Sequence, residues 1–286
     1  MALGANKVEY EVIEGWEQLP EGWSFVEVAG VATDSQDRVY AFNRGEHPMI
    51  VFDREDVFTN AHGIFIGPDD TIYCADNFDH TVRLFEPDGT LVKTLGEKDT
   101  PADTGFKAWT TPVQQAAGPF NMVTNVALAP DGAMYIADGY GNARVHKFSA
   151  DGELLFSWGE PGSGPGQFKI PHAIAVDRRG TVYVADRENS RIQVFSADGE
   201  YRTEWTHVSR PDDLYIDADE NLFVAELGFK VANMPNGLGA EVPPHEPPSC
   251  VSVLTLDGEI QHRFGEHGLE PGNFYAPHGI WADSRG

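Results

Sequence analysis

A fifteen-residue pattern that recurs along the chain constrains the fold more than any other feature. It is clearest at 172–186, where HAIAVDRRGTVYVAD reads as a strand, a turn and a second strand. Six related stretches begin at positions 29, 62, 124, 172, 212 and 278. Most are followed by an Asp-Gly hairpin signal, at Asp88-Gly89, Asp151-Gly152, Asp198-Gly199 and Asp257-Gly258. Each unit therefore predicts a four-stranded sheet of about 40 residues.

Six such units predict an all-β fold, a six-bladed β-propeller that forms a single domain over 1–286. The sixth copy has room for only one strand, so we expect the sixth blade to be incomplete in this chain. The stretch 7–28 is expected to supply one or two strands that close the ring. Two segments lie outside the repeat, 97–120 and 227–249. We expect both to form loops on the face where the first strand of each blade begins, called the top face below.

Charge and cysteine content limit the classes of partner. The net charge of −25 argues against binding nucleic acid or an anionic membrane, since phosphate neutralisation needs Lys and Arg. Cys74 and Cys250 have no metal-binding or redox spacing, which fits a reducing compartment. The first residues lack a basic segment followed by an apolar run, so no signal peptide is expected. These features favour a cytoplasmic protein.

One repeat position carries histidine in alternate blades. The residues that begin the six first strands are Ala29, His62, Thr124, His172, Asp212 and His278. Alternate blades of a six-bladed ring are related by a threefold rotation, so the three imidazoles would meet on the channel axis. Three neutral imidazoles with an open position are typical of a catalytic zinc site, and other divalent ions also suit them. We therefore predict a metal site, against the alternative that each histidine only bonds to backbone.

The residues that follow the second strands should also lie on the top face. Arg44 and Arg187 share one repeat position in opposite blades, and two guanidiniums near a metal favour a substrate carboxylate. Tyr140 lies in the third blade, where a metal and arginines can lower its pKa so that it serves as a base. The alternatives are ion pairs with neighbouring acids for the arginines and ordinary packing for the tyrosine. The other histidines are expected on the surface or in loops: His47, His80, His146, His207, His245, His262 and His267.

The same residues resemble a known enzyme family. The stretch 166–205 resembles the NHL repeat. The segments AFNRGEH, ADGYGNARV, GQFKIPHAIAV, VADRENSRIQVF and APHGI resemble peptidyl-α-hydroxyglycine α-amidating lyase, the lyase domain of peptidylglycine α-amidating enzymes, from about Val31 onward. The resemblance implies a zinc ion on the three predicted histidines, Tyr140 as the base, and Arg44 and Arg187 in the active site.

The resemblance also implies a structural calcium ion in the channel, bound partly through the backbone carbonyls of Val31 and Ile64. The family's aspartate beside the last zinc histidine is Gly279 here, and its methionine two residues before that histidine is Ala276. The family's disulfides are absent as well. The change at Gly279 removes an expected acid from the calcium site, and the change at Ala276 alters the floor of the pocket.

The reaction implied by the resemblance is cleavage of a carbinolamide: a peptide that ends in α-hydroxyglycine gives a peptide amide and glyoxylate. Its partner would be a small-molecule or peptide substrate with a carboxylate. Two other functions stay open. One is a propeller hydrolase or lyase that acts on another small carboxylate or lactone with the same metal site. The other is a non-catalytic NHL scaffold, which the histidines, tyrosine and arginines together disfavour, since a scaffold needs none of them.

Overall fold

The computed structural model describes residues 12, 19, 21–45, 47, 58–107, 112–229 and 247–284. Secondary structure within these residues is β except for a 3₁₀ turn at Arg187–Asn189. None of the described residues belongs to a helix of the length and apolar character needed to cross a bilayer. The described part of the chain is thus all-β, as the repeat predicts.

Most strands form four-stranded antiparallel sheets in sequence order. The first sheet has only two described strands, β1 (Val28–Thr33) and β2 (Val39–Asn43). The second has β3 (Ala61–Ile66), β4 (Ile72–Asp76), β5 (Thr81–Phe85) and β6 (Leu91–Leu95). The third has β7 (Asn125–Leu128), β8 (Met134–Asp138), β9 (Arg144–Phe148) and β10 (Leu154–Trp158).

Two further four-stranded sheets follow. A two-residue parallel pair comes first, β11 (Glu160–Pro161) with β12 (Gln167–Phe168). The fourth sheet has β13 (Pro171–Val176), β14 (Val182–Asp186), β15 (Arg191–Phe195) and β16 (Tyr201–Trp205). The fifth has β17 (Pro211–Ile216), β18 (Asn221–Glu226), β19 (Cys250–Thr255) and β20 (Ile260–Phe264).

The first strands of successive sheets lie side by side, in the order β1, β3, β7, β13 and β17. The segment 277–283 runs between β17 and β1 and so takes the next place in this order. Its Ile280 N–H donates to Asp213 Oδ2 at 2.9 Å, and its Trp281 Nε1 donates to Thr33 Oγ1 at 3.0 Å. These contacts join the last described part of the chain to the first sheet, so the first strands surround a common channel in a propeller-like fold.

Apolar packing between neighbouring sheets forms the core. Every residue of the second strands β4, β8 and β14 is buried, because these strands lie inside their own sheet and between two others. Ile192 and Val194 of the fourth sheet, for example, pack in one cluster with Leu214 and Val224 of the fifth. Burying an aliphatic side chain of this size stabilises the fold by about 1.5–3 kcal/mol. The fourth strands face solvent more, so they form the outer rim.

The sequence-based expectations are met in part. The repeat copies from 29 to 212 coincide with β1, β3, β7, β13 and β17, and each Asp-Gly pair forms the turn before the fourth strand. Complete sheets number four among the described residues, fewer than the six blades predicted: the first sheet is followed by 48–57, which lie outside the described residues, and 277–283 has no paired strand. Residues 21–27 form no strand, and most of 7–20 lies outside the described part.

Candidate active site

The structure brings three predicted metal ligands together at the top of the channel. His62 lies in β3, His172 in β13 and His278 in the segment 277–283. Their ring centroids are 4.8, 4.8 and 4.9 Å apart, which is nearly an equilateral triangle. One nitrogen from each ring lies within 4.8 Å of the other two. The alternation read from the sequence thus produces a threefold cluster.

Backbone carbonyls fix the chemical form of each ring. The Nδ1 of each histidine bonds to the carbonyl at the first repeat position of the next blade: Thr124 at 2.8 Å, Asp212 at 2.6 Å and Ala29 at 2.6 Å. A carbonyl can only accept, so each Nδ1 carries the proton and each Nε2 keeps its lone pair. Burial, the largest cause, holds the pKa of His62 and His172 well below the usual value and lowers that of His278. All three rings are therefore neutral near pH 7.

This donor set fits a metal ion. Three neutral imidazole nitrogens that converge, with their other nitrogens bonded to carbonyls, are the ligands and the supporting bonds of a three-histidine metal site. The Nε2 of His278 is buried and has no hydrogen-bond partner within the described residues. A buried nitrogen without a partner is costly unless something coordinates it. The cluster could therefore hold a divalent ion, whose identity the geometry leaves open.

Tyr140 lies directly against this cluster. Its Oη is 2.8 Å from His172 Nε2 and 3.2 Å from His62 Nε2. The loop that carries it, between β8 and β9, approaches β13 closely, because a Cβ on Gly139 would lie 2.3 Å from the Pro171 carbonyl oxygen. Glycine at 139 thus lets the tyrosine reach the histidines.

The environment of Tyr140 differs from the one expected. Burial raises the pKa of the phenol above its usual value and outweighs Arg187 and Arg44, which lower it. The lowered pKa expected from the sequence is therefore not produced by the protein groups alone. A divalent ion on the adjacent nitrogens would add the positive charge that those groups lack.

Arg187 is buried beside Tyr140 and is bound on two sides by acids. Its Nε donates to Glu188 Oε1 at 2.9 Å, and its Nη1 donates to Asp212 Oδ1 at 2.9 Å and to Tyr140 Oη at 3.1 Å. Burial lowers the pKa of Arg187, but the negative charges around it more than offset this and raise the pKa well above its usual value. The guanidinium is thus a fixed cation whose charge two carboxylates already balance.

Arg44 is the more accessible arginine. Its Nε donates to the Ala61 carbonyl at 3.1 Å, which places it beside His62. Its Nη1 lies 3.3 Å from Glu27 Oε1. The Arg44 side chain is 21% exposed and that of Glu27 is 65% exposed, so water screens this ion pair and it contributes little. Arg44 is therefore free to exchange Glu27 for another carboxylate.

Sequence reasoning missed three charged residues that complete this environment: Asp212, Glu188 and Arg210. Asp212 stands at the first repeat position, where other blades carry histidine, and Glu188 follows Arg187 directly. The sequence positions of Asp212 and Glu188 could therefore have identified them as neighbours of the site. His146, expected on the surface or in a loop, is instead fully buried in β9, between β8 and β10, where its Nε2 lies 3.2 Å from Asp138 Oδ2.

Both segments outside the repeat contact the site's surroundings. Within 97–120, Thr104 Oγ1 donates to the Gly141 carbonyl at 2.5 Å, next to Tyr140. The segment 227–249 fills the interval between β18 and β19, and its residues 230–246 lie outside the described part. Its first residues contact Arg210, whose guanidinium lies 5.5 Å from the Phe229 ring centroid.

The calcium ligands implied by the resemblance are only partly present. Val31 lies in β1 and Ile64 in β3, adjacent first strands beside the channel. The missing aspartate could not simply be restored, because a Cβ on Gly279 would lie 2.9 Å from the Gly30 Cα. Ala276, which replaces the methionine, is exposed. The donor set expected from the family therefore does not fit at residue 279.

A different acid enters the channel instead. The Asp213 carboxylate accepts from the Ile280 and Leu214 N–H groups at 2.9 Å each and from Asn125 Nδ2 at 3.2 Å. It borders a cavity of about 10 Å³ that the three histidines also line, which has room for about one water molecule. Burial raises the pKa of Asp213 to about 7.

Comparison with known proteins supports the resemblance. A model of the NHL repeat matches residues 168–195. NHL repeat-containing protein 3 of Homo sapiens is 34% identical over 223 residues, 71% of this chain and 61% of that protein. Peptidyl-alpha-hydroxyglycine alpha-amidating lyase 1 of Drosophila melanogaster is 30% identical over 240 residues, 78% of this chain and 40% of that protein. The chain thus spans less than two thirds of the length of either relative.

Solved structures agree on the fold. A catalytically inactive virginiamycin B lyase from Staphylococcus aureus, solved with quinupristin, superposes with a TM-score of 0.57 over 88% of this chain and 73% of that one, at 14% identity. At that identity the likeness shows the fold alone. Together, the comparisons confirm that the chain carries an NHL repeat and is related to proteins named as α-hydroxyglycine amidating lyases.

Proposed function

We propose that this protein is a metal-dependent lyase that cleaves the C–N bond of a peptidyl-α-hydroxyglycine-like carbinolamide to an amide and glyoxylate. The observation that carries the proposal is the contact between Tyr140 Oη and two of three convergent imidazoles, with Arg187 Nη1 donating to the same oxygen. One hydrogen-bonded group therefore contains the phenol that we propose as the base, two of the three candidate metal ligands and a cation. The relationship to lyases named for this reaction supports it.

The metal would be held by His62, His172 and His278, and we propose zinc. Such an ion, when bound, acts as a Lewis acid that polarises a substrate oxygen. The protein's part is to keep the three rings neutral and aligned through their carbonyl partners. Because the rings are buried, they also keep water away from the reacting bond.

Tyr140 is the group that takes the proton. In this mechanism the phenolate removes the hydroxyl proton of the substrate, the O–H electron pair forms the carbonyl of glyoxylate, and the C–N bond breaks. The proton then passes to the departing amide nitrogen, so the reaction consumes no other reagent. Arg187 Nη1 holds the phenol oxygen in place and stabilises its ionised form.

Arg44 is the better candidate to bind the substrate carboxylate. Arg187 already faces Glu188 and Asp212, whereas the partner of Arg44 is the exposed Glu27. A substrate carboxylate can replace Glu27 and bind the guanidinium with two parallel hydrogen bonds. This reading gives the two arginines different tasks.

The same proposal covers the architecture of the ring, the class of substrate, the compartment and a structural calcium ion. We propose a six-bladed ring, with 97–120 and 227–249 covering the top face and limiting substrate size. The partner is a small-molecule or peptide substrate with a carboxylate, with no nucleic acid or membrane involved, and the protein acts in the cytoplasm. A structural calcium near Val31 and Ile64 would need its negative charge from Asp213 rather than from residue 279.

The test is release of glyoxylate from α-hydroxyhippurate. The wild type is expected to form benzamide and glyoxylate in equal amounts, and His172→Ala is expected to form neither. His207→Ala is the matched control, since that histidine is exposed and is not one of the three clustered histidines. It should behave as the wild type.

The outcomes separate the alternatives. A wild type that carries metal but releases no glyoxylate would favour the reading as a hydrolase or lyase of another small carboxylate or lactone. A wild type with neither metal nor activity would favour the non-catalytic scaffold. Equal activity in wild type and His172→Ala would remove the histidines from the mechanism.

A further inference from the structure

Arg187 owes its orientation to its neighbours. Its Nη1 donates to Tyr140 and to Asp212, and the opposite side of the guanidinium is bound to Glu188 through Nε, at 2.9 Å. Arg187 and Glu188 have side chains that are 3% and 1% exposed, so water does not compete for these bonds. Glu188 and Asp212 together therefore set where Nη1 points, with Glu188 fixing the Nε side of the guanidinium.

Glu188 is in turn held by a second arginine. Arg210 Nη2 donates to Glu188 Oε1 at 2.7 Å, and its Nε donates to Oε2 at 3.2 Å. This is a bidentate pair, which fixes direction as well as distance because the guanidinium fork is planar and rigid. Oε1 is shared by both arginines, so a change at Arg210 must alter the bond to Arg187.

The backbone of Arg210 carries a second, independent sign of a special role. Its φ is +50°, in the left-handed region that favours glycine. A residue with a side chain costs about 1–2 kcal/mol there, so an arginine at this position is held by its contacts. The side chain that this backbone projects is the one that binds Glu188.

Arg210 also holds the start of the segment 227–249. Its Nη1 donates to the Gly228 carbonyl at 3.2 Å, its own carbonyl accepts from the Leu227 N–H at 3.1 Å, and its guanidinium packs on Phe229. A single side chain thus contacts both the base of a top-face segment and the carboxylate that orients Arg187.

We propose that Arg210, acting through Glu188, is a positioning residue that aims Arg187 at Tyr140 and links that aim to the base of the segment 227–249. The role rests on the proposed lyase function, in which Arg187 acts on the phenol oxygen. Within the described residues neither Arg210 nor Glu188 bonds to the three histidines, and the proposal gives neither of them a contact with the substrate. Their effect is on the geometry of the proton-accepting group.

The kinetic test compares Arg210→Lys and Glu188→Gln with Arg191→Lys. Arg191 is a matched control: it is a similarly buried arginine, bound to Asp186 and Glu204 and not to Arg187. Misplacing a group at the reacting centre by up to about 1 Å costs up to about 100-fold in rate. We expect a fall of that size in kcat for the first two variants, with KM and metal content unchanged, and no change in kcat for Arg191→Lys.

A purely structural role predicts something else. All three variants would then lose thermal stability alike, and kcat per folded molecule would stay at the wild-type value. That result would overturn the proposal. If one of the two test variants does not fold, the other still tests the proposal. Each of them disrupts the Arg210–Glu188 ion pair, one at the arginine and the other at the carboxylate.

A measurement without substrate keeps this proposal separate from the proposed function. In protein labelled with ¹⁵N-arginine, the Arg187 Nε–H signal, assigned with Arg187→Lys, should be sharp and slow to exchange. Arg210→Lys and Glu188→Gln should broaden or shift it, and Arg191→Lys should not. An unchanged signal in both test variants contradicts the positioning role, whereas a failed glyoxylate assay alone contradicts only the lyase function.

Discussion

Each histidine of the cluster is paired with the backbone of the blade that follows it. The carbonyls of Thr124, Asp212 and Ala29 take the Nδ1 protons, so the blades without histidine determine which nitrogen of each ring faces the axis. Only the backbone carbonyls of these positions orient the rings, although the Asp212 side chain also accepts from Arg187 and that of Thr124 donates to the Ala137 and Pro171 carbonyls. A single repeat position thus carries candidate metal ligands in one blade and, in the next, the carbonyls that orient them.

Replacing the tyrosine tests its role as the base. Tyr140→Phe removes the phenol oxygen but keeps the ring, which packs against His62 and His172. Proton transfer by a positioned side chain typically contributes about 10²–10⁴-fold, and we expect kcat to fall by that factor. Steady-state rates of glyoxylate release measure it.

The same variant should keep its metal. The three imidazoles do not depend on Tyr140 for their carbonyl bonds, so elemental analysis of Tyr140→Phe should match the wild type. A variant that retains full activity would show that another group accepts the proton.

Site residues could be recognised from the sequence where an unusual residue type occupied a repeat position. His62, His172 and His278 stood out because each interrupts an otherwise apolar pattern at one register. Glu188 and Arg210 did not, because their importance comes from a buried ion pair between residues 22 positions apart. A pairing of this kind depends on how two loops meet, and no local pattern records it.

The loop between β8 and β9 is the element on which the site depends most. It is held by Asp138, which accepts from the Asn121 N–H at 2.9 Å and from Asn142 Nδ2 at 2.9 Å. The third strand of this sheet adds His146 to the same carboxylate. The loop that presents Tyr140 is therefore fixed at both ends.

Adding one methyl group at the start of this loop should displace it. In Gly139→Ala the new Cβ would meet the Pro171 carbonyl, a backbone atom that cannot easily give way. Overpacking of this kind costs about 1–3 kcal/mol in free energy of unfolding, and kcat should fall because Tyr140 is the next residue. Urea denaturation and glyoxylate release measure the two effects.

Gly118→Ala is the control for this prediction. A Cβ there would have nothing within 4 Å, so its free energy of unfolding should stay within about 0.5 kcal/mol of the wild type. Equal stability of Gly139→Ala and Gly118→Ala would contradict the prediction, because it would mean that the backbone at residue 139 has room for a methyl group beside the Pro171 carbonyl.

Strands and hairpins were the most predictable elements. Alternating apolar residues and Asp-Gly turns marked them, and Gly89, Gly152, Gly199 and Gly258 have φ values of 89°, 81°, 77° and 87°, which glycine adopts without strain. The burial of His146 could not be predicted, because it depends on the position of β9 between β8 and β10 in its sheet. Alternation gives strand direction, but it does not say which strand is covered on both sides.

At the scale of the whole molecule, the carboxylate of Asp213, a half-buried residue, joins separate parts of the ring. Asp213 of β17 binds the backbone of Ile280 in the segment 277–283 and the side chain of Asn125 in β7. It thus links elements that are far apart in sequence across the channel. Burial raises its pKa to about 7, so its ionised form is unfavourable in the folded protein.

This carboxylate should make stability fall as the pH rises. Because the folded pKa is raised, the folded state holds its proton from the unfolded pKa up to about 7 and loses it above that. Between pH 5 and pH 8 the free energy of unfolding should drop by about 2–3 kcal/mol relative to Asp213→Asn. Urea denaturation of both proteins at the two pH values measures the difference, and a constant difference would contradict it.

Closure of the ring was the feature that sequence could predict least. The sixth repeat copy identified the strand position around 278, and the structure places that segment between β17 and β1. How many strands accompany it depends on long-range pairing, which the repeat pattern does not encode. The contacts of the segments 97–120 and 227–249 with Gly141 and Arg210 could not be predicted either, since they depend on how distant parts of the chain meet in the fold.

The most direct test of the central claim is the metal content of the purified protein. We expect about one divalent ion per chain in the wild type, and almost none in His172→Ala, because three convergent imidazoles with bonded Nδ1 groups form one site. His207→Ala should keep the ion. A wild type without any bound metal that still releases glyoxylate would contradict the account.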